Sequence, residues 1–481
     1  MPITSLPIGN GFYRARSLPV SAQQCMNWYV SIPSAPSLSE TQLYGSPGMS
    51  QVATSGEGAN RGARVMAGIP YFVNGSNLYR LNSDHTLDDL GTISGTGRVS
   101  MSDNGTQLCI LVPGGAGYIF TEPSTLTAIS DLDFTTNGNP QQVTFVDGYF
   151  VFTTDAKKFI LSAINDGTDY NAIDYGTAES SPDATVTPVV FKNQLFIVGE
   201  TTTEAFSNIG GADFPFQRSG LFLDEGTVAP FSVVNGSETF AFIGGGKSET
   251  PGVYALNGNT TQKISTDAID ELLQGLTTAE LAAVYGWSYA QSGHFFIGWT
   301  LPTTAIVFDT TTGIWAERAS RYIDGNDDTI DITYRATCFV QAYGNLYVGD
   351  SQDGRIGLLS MDTYTEYGEA VHRVMSTQPF QNNMQPYFVP YLELTMESGV
   401  GNASEPDPMI IMDRSLNGGK SFTYVRERPI GKEGEYNRRA IWRRLGRVSR
   451  FDVYRFTLSE PVKPVIIALT AQLVGVENAQ A

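Results

Sequence analysis

Six arginines stand within fifteen residues near the C-terminal end of the chain, in the segment NRRAIWRRLGRVSRF at 437–451. Planar guanidinium groups form paired hydrogen bonds with carboxylates and with phosphates, so this cluster is chemically suited to binding either kind of anion. The segment itself contains no acidic residue. The candidate interface residues are Arg438, Arg439, Trp442, Arg443, Arg444, Arg447 and Arg450.

This cluster stands in an acidic chain, whose formal net charge is −19 over 481 residues. Residues 426–455 hold ten of the 30 basic residues against four acids, a local balance of +6, which leaves −25 for the rest of the chain. Contact with phosphates, a solvated surface run, and an interface with carboxylates on neighbouring subunits or on an adjoining ring are three possible interpretations. We favour the interface, because the overall acidity repels nucleic acid and supplies the carboxylates that complement a basic patch.

The remaining residues of the types that form catalytic, metal or nucleotide sites are not spaced as those sites require. The sequence contains no HxH or HExxH arrangement, no Walker loop and no GxGxxG after a strand, so the usual zinc, triad and nucleotide-binding sites are not predicted. We therefore predict no enzyme, no metal and no cofactor. The histidines are His85, His294 and His372, and the cysteines, which we expect to be buried thiols, are Cys25, Cys109 and Cys338.

Two local patterns resemble known loops without matching them. DGNDDTID at 324–331 begins like a calcium loop, but Thr329 occupies the glycine position and Arg335 the closing acid, so we expect a solvated loop. SLNGGKSF at 415–422 is similar to the Asp-box turn of sialidase-type propellers, with Asn417 in place of the acid. That turn is structural, so it predicts a hairpin rather than catalysis.

The elements that position these residues are β-strands in a repeated order. Seven phrases, each of apolar runs separated by turns, begin 35–54 residues apart between residues 71 and 338. Turn pairs such as Asn74-Gly75, Asp147-Gly148 and Gly344-Asn345 supply the positive φ that tight hairpins need. A unit of about 40–50 residues made of short antiparallel strands is typical of a β-propeller. We predict an all-β protein with seven blades, six or eight being possible.

Three segments depart from the repeat. We interpret 265–287 as two short helices inserted in the propeller of 61–372, with Thr277 and Glu280 spaced as a capping box. Alternating apolar and polar residues after 373 predict a C-terminal β-sandwich over 373–481. Residues 1–60 are rich in proline and predict an extended N-terminal arm. No run approaches 18 apolar residues, so we expect synthesis in the cytoplasm and no membrane anchor.

The arm contains the aromatic phrase NWY. Asn27, Trp28 and Tyr29 most simply anchor the arm by burial of the two rings against the later sheets. Docking to a neighbouring protein is the alternative role.

Several phrases, in order along nearly the whole chain, resemble the tail hub, or packaged-DNA stabilisation, proteins of short-tailed bacteriophages. They are CMNWYV at 25–30, YGSPGM at 44–49, GTGRVSM at 95–101, AESSPDATV at 178–186, RRAIWRRLGRVSR at 438–450 and LSEPV at 458–462. This resemblance implies a virion protein of the tail, also with a propeller, that forms a six-subunit ring below the portal and adaptor rings. It implies retention of packaged double-stranded DNA, without sequence-specific binding, and attachment of a tail needle or plug and of tailspikes or fibres.

A second class of function stays open on the sequence alone. A propeller that binds or cleaves glycans, such as a receptor-binding or sialidase-like protein, would place aromatic and acidic residues together at a pocket on one end of the blades. The sequence does not show such a set.

Overall fold

The computed structural model describes residues 3–56, 58–178, 183–211, 214–323 and 329–475. Within these residues the chain is mostly β-structure, as predicted. The N-terminal arm forms short strands that enter three different sheets. These strands are β1 (Ile3–Leu6), β2 (Tyr13–Arg14), β3 (Ala22–Met26), β4 (Trp28–Ser31), β5 (Gln42–Gly45) and β6 (Gly48–Thr54).

Six four-stranded antiparallel units of consecutive strands follow in the described part of the chain. The first two contain β7 (Asn60–Met66), β8 (Ile69–Asn74), β9 (Asn77–Leu81), β10 (Leu87–Thr92), β11 (Ser100–Asp103), β12 (Gln107–Val112), β13 (Ala116–Thr121) and β14 (Thr125–Ala128). After helix α1 (Asp133–Thr136), the next two contain β15 (Pro140–Val146), β16 (Tyr149–Thr154), β17 (Lys158–Ala163), β18 (Asp166–Thr177), β19 (Thr185–Phe191), β20 (Gln194–Gly199), β21 (Thr203–Asn208) and β22 (Phe216–Leu223).

The last two of these units flank the predicted helices. The fifth contains β23 (Val234–Asn235), β24 (Phe240–Gly244), β25 (Gly252–Asn257) and β26 (Thr260–Lys263), and it is followed by α2 (Asp267–Gln274) and α3 (Thr278–Ala282). The sixth contains β27 (Tyr285–Gln291), β28 (His294–Thr300), β29 (Ala305–Asp309) and β30 (Ile314–Ile323), and β31 (Thr329–Thr333) extends it. The Thr277 hydroxyl accepts from the Glu280 amide, and the Glu280 carboxylate accepts from the Thr277 amide, which confirms the capping box.

A further four-stranded unit closes the ring with the arm. Strand β6 pairs antiparallel with β34 (Arg355–Ser360), from Arg355 opposite Thr54 to Ser360 opposite Gly48. Its other strands and the hairpin beside it are β32 (Ala336–Ala342), β33 (Asn345–Asp350), β34 (Arg355–Ser360), β35 (Thr365–Glu366) and β36 (Glu369–Ala370). The first strand of this unit, β32, contacts β7 of the first, so the sheets are arranged as the blades of a propeller. The described propeller thus contains six units of consecutive strands and the unit closed by β6. This number of blades lies within the predicted range of six to eight.

Residues with positive φ form the turns of several hairpins. Asp147 and Gly148 have φ of 50° and 92° between β15 and β16, which is the left-handed pair that a two-residue turn needs. The turn predicted at Gly344-Asn345 begins one residue earlier, because Tyr343 and Gly344 carry the positive φ and Asn345 already belongs to β33. The turn predicted at Asn74-Gly75 is displaced in the other direction, since Asn74 is the last residue of β8.

The C-terminal part is a β-sandwich, as predicted. Its strands are β37 (Arg373–Ser376), β38 (Tyr387–Met396), β39 (Met409–Ser415), β40 (Thr423–Pro429), β41 (Ala440–Arg443), β42 (Arg447–Val448), β43 (Val453–Leu458) and β44 (Val465–Gly475). One sheet has the order β4-β5-β44-β38-β41, and the other continues from the propeller as β30-β3-β37-β43-β39-β40. Leu392, Phe456 and Leu469, all buried, belong to one core cluster that fills the sandwich.

Candidate interaction surface and central channel

The arginine segment lies along the edge of a sandwich sheet, where β41 and β42 both pair with β38. Because side chains alternate across a strand, its apolar residues point into the core and its arginines point outward. Ala440, Leu445 and Val448 are buried. The outward residues, all exposed, are Arg438, Arg439, Arg443, Arg444, Arg447 and Arg450. We call these six residues the arginine surface.

Trp442 does not belong to the arginine surface, which corrects its place among the predicted interface residues. Its side chain is fully buried, its ring centroid lies 5.6 Å from that of Phe456, and its Nε1–H donates to the Arg426 carbonyl at 3.3 Å. The alternation that sends Arg443 outward sends Trp442 inward. Trp442 is therefore a core residue that holds β41 against the opposite sheet.

One member of the arginine surface is already paired within the chain. Arg439 Nε and Nη2 donate to Glu393 at 2.7 and 2.5 Å, and Nη2 also reaches the Tyr391 hydroxyl at 2.7 Å. Hydrogen bonding from Arg439 lowers the pKa of Glu393. Among the described residues, the other five guanidiniums have no carboxylate within 4.0 Å. These five retain their hydrogen-bonding capacity for a partner.

A buried ion pair holds this segment in place. Arg414 on β39 donates from Nε and Nη2 to the two carboxylate oxygens of Asp452 at 2.6 and 2.7 Å, with both side chains 5% or less exposed. The Tyr454 hydroxyl donates to the same carboxylate at 2.5 Å, and Arg414 Nη1 donates to the Leu445 carbonyl. The pair therefore connects the segment between β41 and β42, which contains Leu445, to the opposite sheet.

The three predicted arm residues lie together at the joint of propeller and sandwich. Asn27 has φ of 59°, and its amide donates to the carbonyls of Ala319 at 2.9 Å and His372 at 2.7 Å. Its side-chain oxygen accepts from the Ala319 amide at 3.2 Å. Trp28 and Tyr29 are buried, and the ring centroids of Tyr29 and Phe296 lie 5.4 Å apart. All three side chains are enclosed by this chain, which is the arrangement that an anchor requires.

A central channel of about 600 Å³ runs between the first strands of the blades. Its lining includes residues of β7, β11, β15, β19, β23, β27 and β32. Arg98, just before β11, extends across one mouth: its Nη1 donates to Thr337 at 2.8 Å, and its guanidinium lies 3.9 Å from the Tyr285 ring centroid. Arg98 belongs to the phrase GTGRVSM, but no local pattern predicts its role, since its partners lie about 190 and 240 residues away.

Comparisons with known proteins decide the family. The model described as bacteriophage P22 Gp10, β-propeller, matches residues 4–364, and the model described as bacteriophage P22 Gp10, β-sandwich, matches residues 372–474. The chain belongs to the P22 Gp10 family. A Gp10-family relative, the tail hub protein gp10 of Salmonella phage P22, is 23% identical over 394 residues, which cover 79% of this chain and 80% of the relative.

Membership in the Gp10 family, the phage stabilisation and tail hub proteins, places this structural protein in the virion tail. Among solved structures, the WD40 β-propeller domain of Doa1 is 14% identical with a TM-score of 0.39, over 65% of this chain and 97% of that domain. We draw no conclusion from a likeness at that score.

The remaining candidate residues are dispersed in this Gp10-family structure. His85 contacts the Tyr347 hydroxyl, His294 contacts Asp309, and His372 contacts Asp331, at three separate places. In the described ranges, no three His, Cys, Asp or Glu side chains are grouped as a metal site requires. None of the described helices has the length and apolar character needed to span a membrane.

The two loop patterns have different outcomes. The hairpin predicted at 415–422 is confirmed: it joins β39 to β40, and Asn417 Oδ1 accepts from the Ser421 amide at 3.0 Å. The calcium-like loop begins with residues 324–328, which lie outside the described part of the chain. Arg335, which occupies its closing position, donates to Asp350 at 2.6 Å.

Proposed function

We propose that this chain is a subunit of a six-membered, ring-shaped tail hub below the portal and adaptor rings. In this proposal the ring retains packaged double-stranded DNA, forms part of the ejection conduit, and carries a needle or plug and the spikes or fibres. The subunit is divided into an arm of 1–60, a propeller of 61–372 and a sandwich of 373–481. Family membership supports the tail hub role.

The observation that supports ring closure is the arginine surface. A cyclic ring is built from heterologous contacts, in which one face of a subunit meets a different face of the next. Five exposed guanidiniums lack an internal carboxylate among the described residues, while the chain outside residues 426–455 carries a charge of −25. Charge-assisted, bidentate hydrogen bonds to acidic neighbours would use both features.

The acidity of the remaining surface suits passage of DNA. A bore lined with lysine or arginine would bind phosphates and slow ejection, since each neutralised phosphate adds to the affinity. A neutral or negative bore rich in hydroxyl groups would repel the backbone and stay hydrated. We therefore assign the arginine surface to contact with protein and the acidic surface to the conduit.

The experiment is a charge reversal at two exposed members of the arginine surface. We expect Arg443→Glu with Arg444→Glu to leave the isolated subunit folded, because both side chains lie outside the core, and to prevent its incorporation into tails. The matched control is Lys192→Glu with Lys247→Glu, an equal charge change on exposed propeller residues. Negative-stain microscopy and mass spectrometry of purified particles measure incorporation. Normal tails from the arginine variant would refute the interface.

A further inference from the structure

The central channel holds a cation, Arg98, whose charge no carboxylate of the described residues balances. Arg98 Nη1 and Nη2 donate only to neutral groups, the Thr337 hydroxyl and the Cys338 sulfur at 3.3 Å, and Nε is enclosed without a partner in the described structure. A carboxylate that lines the channel, Asp103, is already 2.8 Å from Arg64. Because Arg64 neutralises Asp103, the positive charge of Arg98 remains uncompensated.

Arg98 also lies where a ligand would be enclosed. It starts beside β11 and reaches β32 and β27, which are two and three blades away around the ring, so its guanidinium crosses one mouth of the channel. The rings of Tyr285 and Phe231 stack against the guanidinium, with centroids 3.9 and 5.6 Å from Cζ. This packing fixes the cation at one end of a cavity whose volume suits a small molecule.

The channel wall adds neutral hydrogen-bonding groups. Gln142 is 5% exposed and lines the cavity, yet within the described residues its side chain makes no hydrogen bond with the protein. Thr144, on the same strand, lines the cavity too and is likewise without a side-chain partner there. Because Gln142 lines the channel and its amide has no protein partner among the described residues, its donors and its acceptor are available to a polar ligand.

We propose that the propeller channel binds a small, hydroxyl-bearing carboxylate of the uronic-acid class. The carboxylate would accept from the Nη groups of Arg98, while the hydroxyl groups would bond Gln142 and Thr144. A guanidinium is the preferred partner of a planar carboxylate, and the neutral amide and hydroxyl groups suit a sugar ring. The site lies within one subunit, so it does not depend on the proposed ring.

The test uses the purified full-length subunit and calorimetric titration with glucuronate, with glucose as the neutral probe. We expect saturable binding of glucuronate, at least tenfold weaker binding of glucose, and at least tenfold weaker glucuronate binding by Arg98→Met. Arg450→Met removes an exposed arginine of the sandwich and should bind as the unmodified protein does. Arg98→Lys keeps the charge without the fork and should be intermediate.

Two further measurements keep the test decisive if Arg98→Met unfolds. Gln142→Ala leaves Arg98 in place and should weaken glucuronate binding severalfold, with the melting temperature checked in parallel. Sodium sulfate added to the unmodified protein should compete with glucuronate for the guanidinium. Absence of saturable binding, equal binding of glucose, or no effect of sulfate and of both substitutions would overturn the proposal.

Discussion

The buried pair between Arg414 and Asp452 makes a quantitative prediction about the arginine surface. In Asp452→Asn the shape is kept, but the charge that balances Arg414 is lost, and an amide nitrogen replaces one of the oxygens that accept from Arg414 and Tyr454. Both side chains are almost fully enclosed. Removing one partner of such a pair costs about 3–5 kcal/mol, because an unbalanced charge remains in the core.

Urea denaturation followed by tryptophan fluorescence measures this loss, and urea leaves the ionic strength unchanged. Glu397→Gln is the matched control: it breaks the exposed pair with Lys463 and should change the free energy of unfolding by less than about 1 kcal/mol. Hydrogen exchange at 440–448 should quicken in Asp452→Asn and not in the control, since Arg414 also bonds the Leu445 carbonyl.

A double variant separates the pair from the packing around it. Arg414→Met together with Asp452→Asn removes both charges, so it should lose less free energy than Asp452→Asn alone. If Asp452→Asn unfolds within about 1 kcal/mol of the unmodified protein, or if the double variant is the less stable, the buried pair does not hold the arginine surface as we describe.

Two other predictions concern the joint of propeller and sandwich. Asn27→Asp removes both donors to Ala319 and His372, so we expect a loss of about 2–5 kcal/mol in urea unfolding. The half-exposed Asn208→Asp should stay within about 0.5 kcal/mol, and an equal loss in both variants would contradict the anchor. Burial raises the pKa of Glu317 to about 7, so the folded state binds the proton more tightly and this group lowers stability as pH rises from about 4.5 to 7. Glu317→Gln should remove that decline in pH-dependent melting, and an unchanged slope would contradict it.

Local patterns predicted much of this fold. The turn at Asp147-Gly148, the hairpin at 415–422 and the capping box at Thr277 depend on residues only a few positions apart. The propeller followed from the repetition of such units, and the sandwich followed from the two-residue alternation of strands such as β38. Each of these features depends on chemistry that a short window of sequence contains.

Long-range pairing explains what the sequence did not reveal. Strand β6 closes the propeller against β34, about 300 residues later, and no local pattern selects that partner. Trp442 was assigned to the surface because its window is rich in arginine, whereas the register of β41 with β38 turns it inward. Arg98 lay within a recognised phrase, but its importance depends on Tyr285 and Thr337, which only the closed ring brings near.

Cryo-electron microscopy of the assembled phage tail tests the central claim most directly. We predict a closed ring of six copies of this chain below the portal and adaptor rings. The arginine surface should lie against carboxylates of a neighbouring subunit or of the ring above, and the bore should be neutral to negative. A tail that lacks this ring, an arginine surface that faces solvent, or a bore with a continuous basic lining would contradict the account.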